Sequence, residues 1–202
     1  MTPQVVLATR NVGKIAELRR ILVGYDVELI GLDAISDVGE IAETGATFAE
    51  NAMIKAREVA RISGLVAIAD DSGLTVDALN GMPGVLSARW SGRHGDDAAN
   101  LELVLAQLTD VPDERRGAAF VCAAAAAAPD GREVVVEGEI VGSLLRERRG
   151  TNGFGYDPIF VPDGESLTTA EMSPERKDEI SHRGKAFRAL VPLIGDLLSD
   201  AI

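Results

Sequence analysis

The stretch Leu65–Gly73, LVAIADDSG, places the tightest constraint on how this chain can fold. Five apolar residues read as a buried strand, and the run closes on two adjacent carboxylates, Asp70 and Asp71, ahead of Ser72 and Gly73. A buried carboxylate without a partner is costly, so the strand has to end where water, a cation or hydrogen-bond donors can meet it. Adjacent strand residues point to opposite sides. One aspartate is therefore expected to face a cleft while the other supports it from behind.

Strands and helices alternate around this run. Gln4–Ala8 reads as a short buried strand, and Ile15, Leu18, Ile21 and Leu22 recur at helical spacing, predicting a helix to about Val23. A second strand over Val27–Leu32 leads into an irregular stretch from Asp33 to Ala46. Thr47 and Glu50 form a capping-box pattern that opens a helix reaching Ser63. Asp96 or Asp97 caps another helix ending near Leu108. Ala118–Ala128 and Glu133–Val141 flank Pro-Asp-Gly, a hairpin signal. Six consecutive alanines suit a helix by propensity, but Phe120, Val121 and the turn favour a strand. Ser173 caps a helix with Pro174 at its first position, and a final helix follows Ser181–Lys185, where Pro192 is expected to kink or restart it. Early alternation with a later hairpin predicts an α/β chain with a mixed sheet. No repeat, linker or boundary interrupts it, so residues 1–202 read as one domain.

Charge narrows the function. A formal charge of −12 over 202 residues argues against an extended nucleic-acid or anionic-membrane surface. It is compatible with a small anionic ligand held by a few lysines and a metal ion. Cys122 is the single cysteine, so no intrachain disulfide can form, and its apolar surroundings read as a small buried hydrophobe. The sequence opens on a strand with no basic leader region, and no apolar run is long enough to span a bilayer. A soluble, cytoplasmic protein is expected.

Five polar clusters carry candidate chemistry, and ligands of α/β sheets collect outside the carboxyl ends of strands. In TRNVGK, Thr9 and Asn11 offer polar side chains, Gly13 permits close backbone approach, Lys14 adds charge, and a helix start supplies free N–H groups. That set suits a phosphate, although an ordinary strand-to-helix turn uses the same residues. In ETGATFAENAMIKA, Glu43 lies in the loop while Asn51 and Lys55 share one helical face, as ligand groups or as a solvated surface. In DDSG, hard oxygen donors suit Mg²⁺, which binds through few carboxylates, waters and substrate phosphates. In GFGYDP, Phe154 and Tyr156 are placed to stack on a base or to plug the core beneath a loop. In SHRGK, His182, Arg183 and Lys185 crowd a helix start where cations oppose the macrodipole, hinting at an anionic or acceptor-rich ligand.

In order and wording, TRNVGK, ETGATFAENAMIKA, ADDSGLTVDALNGMPGVLSARWSG, GFGYDPIF and SHRGKAFRAL closely resemble the house-cleaning inosine/xanthosine triphosphate pyrophosphatases, from Val5 to about Leu190. The resemblance implies Mg²⁺-dependent hydrolysis of non-canonical purine nucleoside triphosphates (ITP, dITP, XTP) to monophosphate and pyrophosphate. It also implies a homodimer and an elongated mixed sheet flanked by helices, with two lobes and an active-site cleft between them. Carried over by position, Thr9, Arg10, Asn11, Val12, Gly13 and Lys14 form the triphosphate loop, Arg10 standing where relatives often have a small residue. Asp71 is the proton acceptor and a metal ligand, with Glu43 or Asp70 as the second ligand and Ser72 as a substrate contact. Phe154, Gly155, Tyr156, Asp157, Lys177, His182 and Arg183 enclose the purine, with Arg183 expected to meet its keto oxygen. Asn51 and Lys55 complete the substrate contacts, Lys14 and Lys55 stabilising the leaving pyrophosphate. A septum-associated pyrophosphatase group shares the fold, but SHRGK favours the inosine/xanthosine side. A nucleotide-binding regulator without turnover would not need the base beside a metal.

Overall fold

The polar loop anticipated after the first strand leads into a helix, and the computed structural model, which describes residues 2–36 and 38–198, shows how. Strands β1 (Gln4–Leu7), β2 (Glu28–Gly31), β3 (Val66–Val76), β4 (Gly117–Ala127), β5 (Glu133–Leu144) and β6 (Phe160–Pro162) make one sheet in the order β2-β1-β3-β4-β5-β6. β1 is parallel to both β2 and β3, and β6 is antiparallel to β5, so the sheet is mixed. The helices are α1 (Val12–Ile21), α2 (Phe48–Ser63), α3 (Asp97–Gln107), α4 (Pro174–Ile180) and α5 (His182–Leu198).

The chain groups into two compact units. The first comprises Met1–Asp71, Cys122–Gly138 and Arg183–Ile202; the second comprises Ser72–Val121 and Glu139–His182. In the first unit, period-two alternation decides everything. Val5, Leu7, Val66, Ile68, Cys122, Ala124 and Ala126 face Leu18 of α1 with Phe187 and Leu190 of α5. The intervening Val6, Ala67, Ala69, Ala123, Ala125 and Ala127 face Ala52, Ala56 and Val59 of α2. The alanine run is thus a strand covered by helices on both faces, which is why it reads as a continuous apolar run. Its small side chains give each helix room against the sheet, which outweighs their helix propensity. Burial pushes the Cys122 thiol far above its ordinary range, as an inert core residue should be.

In the second unit, Leu101, Val104 and Leu108 along α3 pack on Leu74, Phe120, Ile140 and Phe160. Buried Arg116 donates to the carbonyls of Leu144 (2.8 Å), Leu108 and Leu145 (both 2.7 Å). It therefore ties the end of α3 to the end of β5.

Caps match the residue chemistry. Asn11 accepts from the Lys14 N–H, Asp96 from Ala99, Ser173 from Arg176, and Thr47 with Glu50 closes a full capping box. Three expectations change. β3 does not stop at Ala69 but runs through both aspartates to Val76, because those carboxylates find partners and the ladder can continue. α5 begins at His182 and passes Pro192 as a single helix. Phe160–Pro162, unassigned from sequence, adds a short antiparallel strand on β5.

Candidate active site

The alternation that builds the first unit also sorts its charges. Asp70 follows Ile68 onto the face of α1 and α5, and Asp71 follows Ala69 onto the face of α2. Each aspartate meets a lysine from the helix on its own side. Lys14 Nζ lies 2.8 Å from Asp70 Oδ2, and Lys55 Nζ lies 3.5 Å from Asp71 Oδ1. The expectation of one aspartate for each side of the strand is met.

Around Asp70 the cluster is ionic and dry. Arg183, at the start of α5, donates through Nε to Asp70 Oδ2 at 3.2 Å and through Nη1 to Glu17 of α1. Asp70, Glu17 and Arg183 are 1%, 4% and 2% exposed, which makes this a buried network rather than a surface pair. Burial works against the Asp70 charge, but Lys14 and then Arg183 outweigh it and hold the carboxyl well below the usual carboxylate range. Arg183 is likewise held firmly protonated, its burial outweighed by Asp70 and Glu17. Glu17 was not singled out from sequence. The available signal was an acid three residues after Lys14, on the helical stripe that carries Leu18 and Ile21.

Around Asp71 the site is more open in character. Lys55 Nζ reaches Glu43 Oε1 at 2.6 Å as well as Asp71. Asn51, fully buried, donates from Nδ2 to Asp71 Oδ2 at 3.1 Å and accepts the Gly45 N–H at 2.7 Å. Burial raises the Asp71 carboxyl above its ordinary value, Lys55 partly offsets this, and the Glu43 charge adds to it. Lys55 is kept protonated because Asp71, Asp70 and Glu43 outweigh the effect of burial. A carboxylate with a raised pKa is a stronger base, which is the tuning a general base needs.

The loop Thr9–Lys14, expected to meet phosphate, joins β1 to α1. Thr9 Oγ1 accepts the Asn11 N–H at 3.2 Å, and Asn11 caps the helix that begins at Val12, which is exposed. Arg10 turns away from this backbone and donates to the carbonyls of Val38 and, at 3.0 Å, Gly39. Its departure from a small residue thus serves to tie down another loop.

Glu43 and Asp71 are two hard-oxygen donors sharing one lysine, with one of them raised by burial. That donor set fits a divalent cation held by few protein ligands, the remaining positions going to water and phosphate. Among the described residues no group of three or more acidic, histidine or cysteine side chains gathers as a metal cage. Asp70 is committed to Lys14 and Arg183, which favours Glu43 as the second ligand.

In the second unit, Asp157 organises the glycine-rich loop. Its carboxylate accepts from Phe154 N–H (2.8 Å), Thr169 Oγ1 (2.8 Å) and Lys177 Nζ (2.6 Å). Gly153, at φ +75°, passes so close to Asp157 that a Cβ there would collide with it. Lys177 Nζ sits 5.0 Å from the centre of the half-buried Phe154 ring. Gly155 N–H donates to Asp97 Oδ2 at 2.9 Å. His182 stacks on Phe120, another residue not anticipated, at 5.0 Å and 14° between planes. Tyr156 is the core plug of the two alternatives: it is 4% exposed, and its hydroxyl donates to the Ser87 carbonyl at 2.8 Å. Of the residues assigned to the purine, Phe154, Asp157, Lys177 and His182 therefore belong to this unit, as does Ser72, while Arg183 belongs to the charge cluster of the first.

The mixed α/β sheet presents two consecutive carboxylates, each with its own lysine, beside a capped helix N-terminus, an arrangement suited to a nucleotide-phosphate hydrolase. The Ham1 family matches residues 5–193, and the chain belongs to that family. It is 60% identical over 197 residues to the dITP/XTP pyrophosphatase of Streptomyces avermitilis, covering 96% of this chain and 98% of that protein. It is 58% identical over 199 residues to the dITP/XTP pyrophosphatase of Mycobacteroides abscessus, covering 97% of each. The solved structure of a HAM1 protein from Coxiella burnetii is similar at a TM-score of 0.87 and 42% identity, over 96% of this chain and 99% of that one. A nucleoside-triphosphatase / dITP/XTP pyrophosphatase from Mycobacterium abscessus is similar at a TM-score of 0.76 and 59% identity, over 95% and 99%.

Proposed function

We propose that the protein is a dITP/XTP pyrophosphatase that hydrolyses ITP, dITP and XTP, with water, to the nucleoside monophosphate and pyrophosphate. The observation that carries this reading is Asp71: a carboxylate raised by burial and held at one oxygen by Asn51 and at the other by Lys55. Asp71 takes the proton from the water that attacks phosphorus, a step worth about 10²–10⁴-fold. Lys14 and Lys55 stabilise negative charge on the departing pyrophosphate, with the N–H groups at the start of α1 cradling phosphate oxygens. Glu43 and Asp71 would hold Mg²⁺, which when bound neutralises triphosphate charge and acidifies coordinated water. The purine would be met by the Phe154 ring, Lys177 and His182. Lysine is a donor only, so it suits the keto oxygen of hypoxanthine and xanthine and leaves the adenine amino group without an acceptor. A homodimer working on the cytoplasmic nucleotide pool completes the proposal, on the family resemblance.

The deciding experiment is a panel of nucleoside triphosphates with Mg²⁺, assayed for phosphate with and without added inorganic pyrophosphatase. Phosphate seen only with the added enzyme, and from ITP, dITP and XTP ahead of ATP, supports the proposal. Direct phosphate release with equal use of ATP overturns it.

A further inference from the structure

We propose that Asn51 is a positioning residue that fixes the Glu43 loop to Asp71, and that it makes no contact with the nucleotide. This rests on the proposed function for its catalytic consequence, but its geometry stands separately. Asn51 is fully buried. Its amide has one orientation that satisfies both neighbours: Oδ1 toward Gly45, whose N–H can only donate, and Nδ2 toward the Asp71 carboxylate. Both ends are thereby engaged within the protein.

The loop is shaped to reach it. A Cβ on Gly45 would sit 2.6 Å from Glu50 Cβ, 2.8 Å from Asn51 Oδ1 and 3.0 Å from Asn51 N, so the backbone approaches this closely only as glycine. The next two N–H groups, of Ala46 and Thr47, donate to Glu50 Oε2 at 2.6 and 3.2 Å. Three successive amides are thus strapped to the first turn of α2 by Asn51 and Glu50. Two residues upstream, Glu43 meets Lys55, which stands one turn beyond Asn51 on the same helical face. Asn51 and Lys55 are therefore parallel bridges, each touching the loop and one oxygen of Asp71. If Lys55 turns to a phosphate during turnover, Asn51 is the tie that keeps Glu43 and Asp71 in register.

The test uses the full chain with Asn51→Leu, which removes both the acceptor for Gly45 and the donor to Asp71 without adding a charge, and Gly45→Ala, whose Cβ pushes the loop away from Asn51 and Glu50 while leaving the Asn51 amide itself in the chain. Mn²⁺ binding to the substrate-free enzyme is measured by electron paramagnetic resonance, and kcat and KM for ITP are measured with saturating Mg²⁺. Supporting partners of metal ligands change metal affinity or activity by about 10–100-fold. Both variants should weaken Mn²⁺ binding and lower kcat within that range, with KM for ITP held within about twofold, since only ground-state contacts raise KM alone. A raised KM with unchanged kcat and Mn²⁺ binding would make Asn51 a substrate contact and overturn the proposal. So would wild-type behaviour of both variants. If Asn51→Leu does not fold, Gly45→Ala decides by the same two measurements. If the wild type turns over no nucleotide, the functional reading fails, and Mn²⁺ binding alone still decides the positioning role.

Discussion

Replacing Arg183 by methionine tests whether the charge cluster behind the site is as dry as its geometry says. The substitution keeps much of the apolar volume but removes the cation between Asp70 and Glu17, leaving two carboxylates that are 1% and 4% exposed. Removing one partner of a buried ion pair costs about 3–5 kcal/mol. Lys14 remains 2.8 Å from Asp70, which places the loss at the lower end, about 3 kcal/mol. For a chain of this size that is a fall in Tm of roughly 6–12 °C. The pH dependence fixes the cause. The Asp70 carboxyl is depressed below its ordinary 3.8, so its contribution is present above that value and lost as pH falls through the depressed one. Without Arg183 that contribution shrinks, and the gap between variant and wild type should be widest near neutrality and close in acid. Calorimetry from pH 2 to 8, which extends below the ordinary 3.8 of the carboxyl, measures this. The double variant Glu17→Gln/Arg183→Met should recover much of the loss, since it removes the stranded charge along with its partner. A variant within about 1 kcal/mol of wild type at pH 7, against the expected 3, refutes a buried cluster. Turnover should fall alike for ITP, XTP and ATP; a loss confined to ITP and XTP would return Arg183 to the base.

Asp71→Asn keeps the side-chain shape but loses the proposed base and one of the two acceptor oxygens, and kcat should drop by about 10²–10⁴-fold with the circular dichroism unchanged; near-normal turnover would remove Asp71 from the mechanism. Lys14→Ala and Lys55→Ala should depress ITP and GTP hydrolysis in equal proportion if both act on the phosphates as proposed, and steady-state kinetics on the two nucleotides show whether the ratio holds. Tyr156→Phe deletes the hydrogen bond to the Ser87 carbonyl and should cost about 0.5–1.5 kcal/mol in denaturant unfolding, with no change in the ranking of nucleotides; an altered ranking would mean the ring does reach the base.

The parts of this site visible in the sequence are those set by short-range rules. The capping box of Thr47 and Glu50 and the opposite facing of Asp70 and Asp71 need only local spacing. The Asn51–Lys55 face follows from the turn of a helix. What stayed hidden depends on distant partners. Glu17 looks like a surface acid until Arg183, 166 residues away, meets it. Tyr156 sits in a glycine-rich segment that reads as exposed, yet its hydroxyl is anchored 69 residues away. The same reason makes β3 longer than its apolar run: polarity at Asp70 and Asp71 reads as a loop until lysines from two helices are there to receive it. Pro192 reads as a kink or restart because a helix loses one hydrogen bond there, but the packing of Leu190, Ile194 and Leu197 on the sheet outweighs one such loss.

The adjacency of the two aspartates makes their division of labour a matter of parity. β3 is an interior strand, pinned to β1 by Val5 opposite Val66, Val6 opposite Ala67 and Leu7 opposite Ile68. An inserted or deleted residue between Ala67 and Ala69 would rotate everything downstream by half a period and hand each carboxylate to the other's helix. With a neutral residue inserted or deleted the charge would be unaltered, yet the carboxylate now facing Arg183 and Lys14 would be Asp71, the proposed base. Two such changes would restore the facing but displace both side chains along the strand by about 7 Å, two residues' rise. The segment ahead of the pair should therefore accept changes of side chain far more readily than any change of length, and a library of single-codon insertions across 66–76, selected for activity, would show a gap there that a substitution library does not.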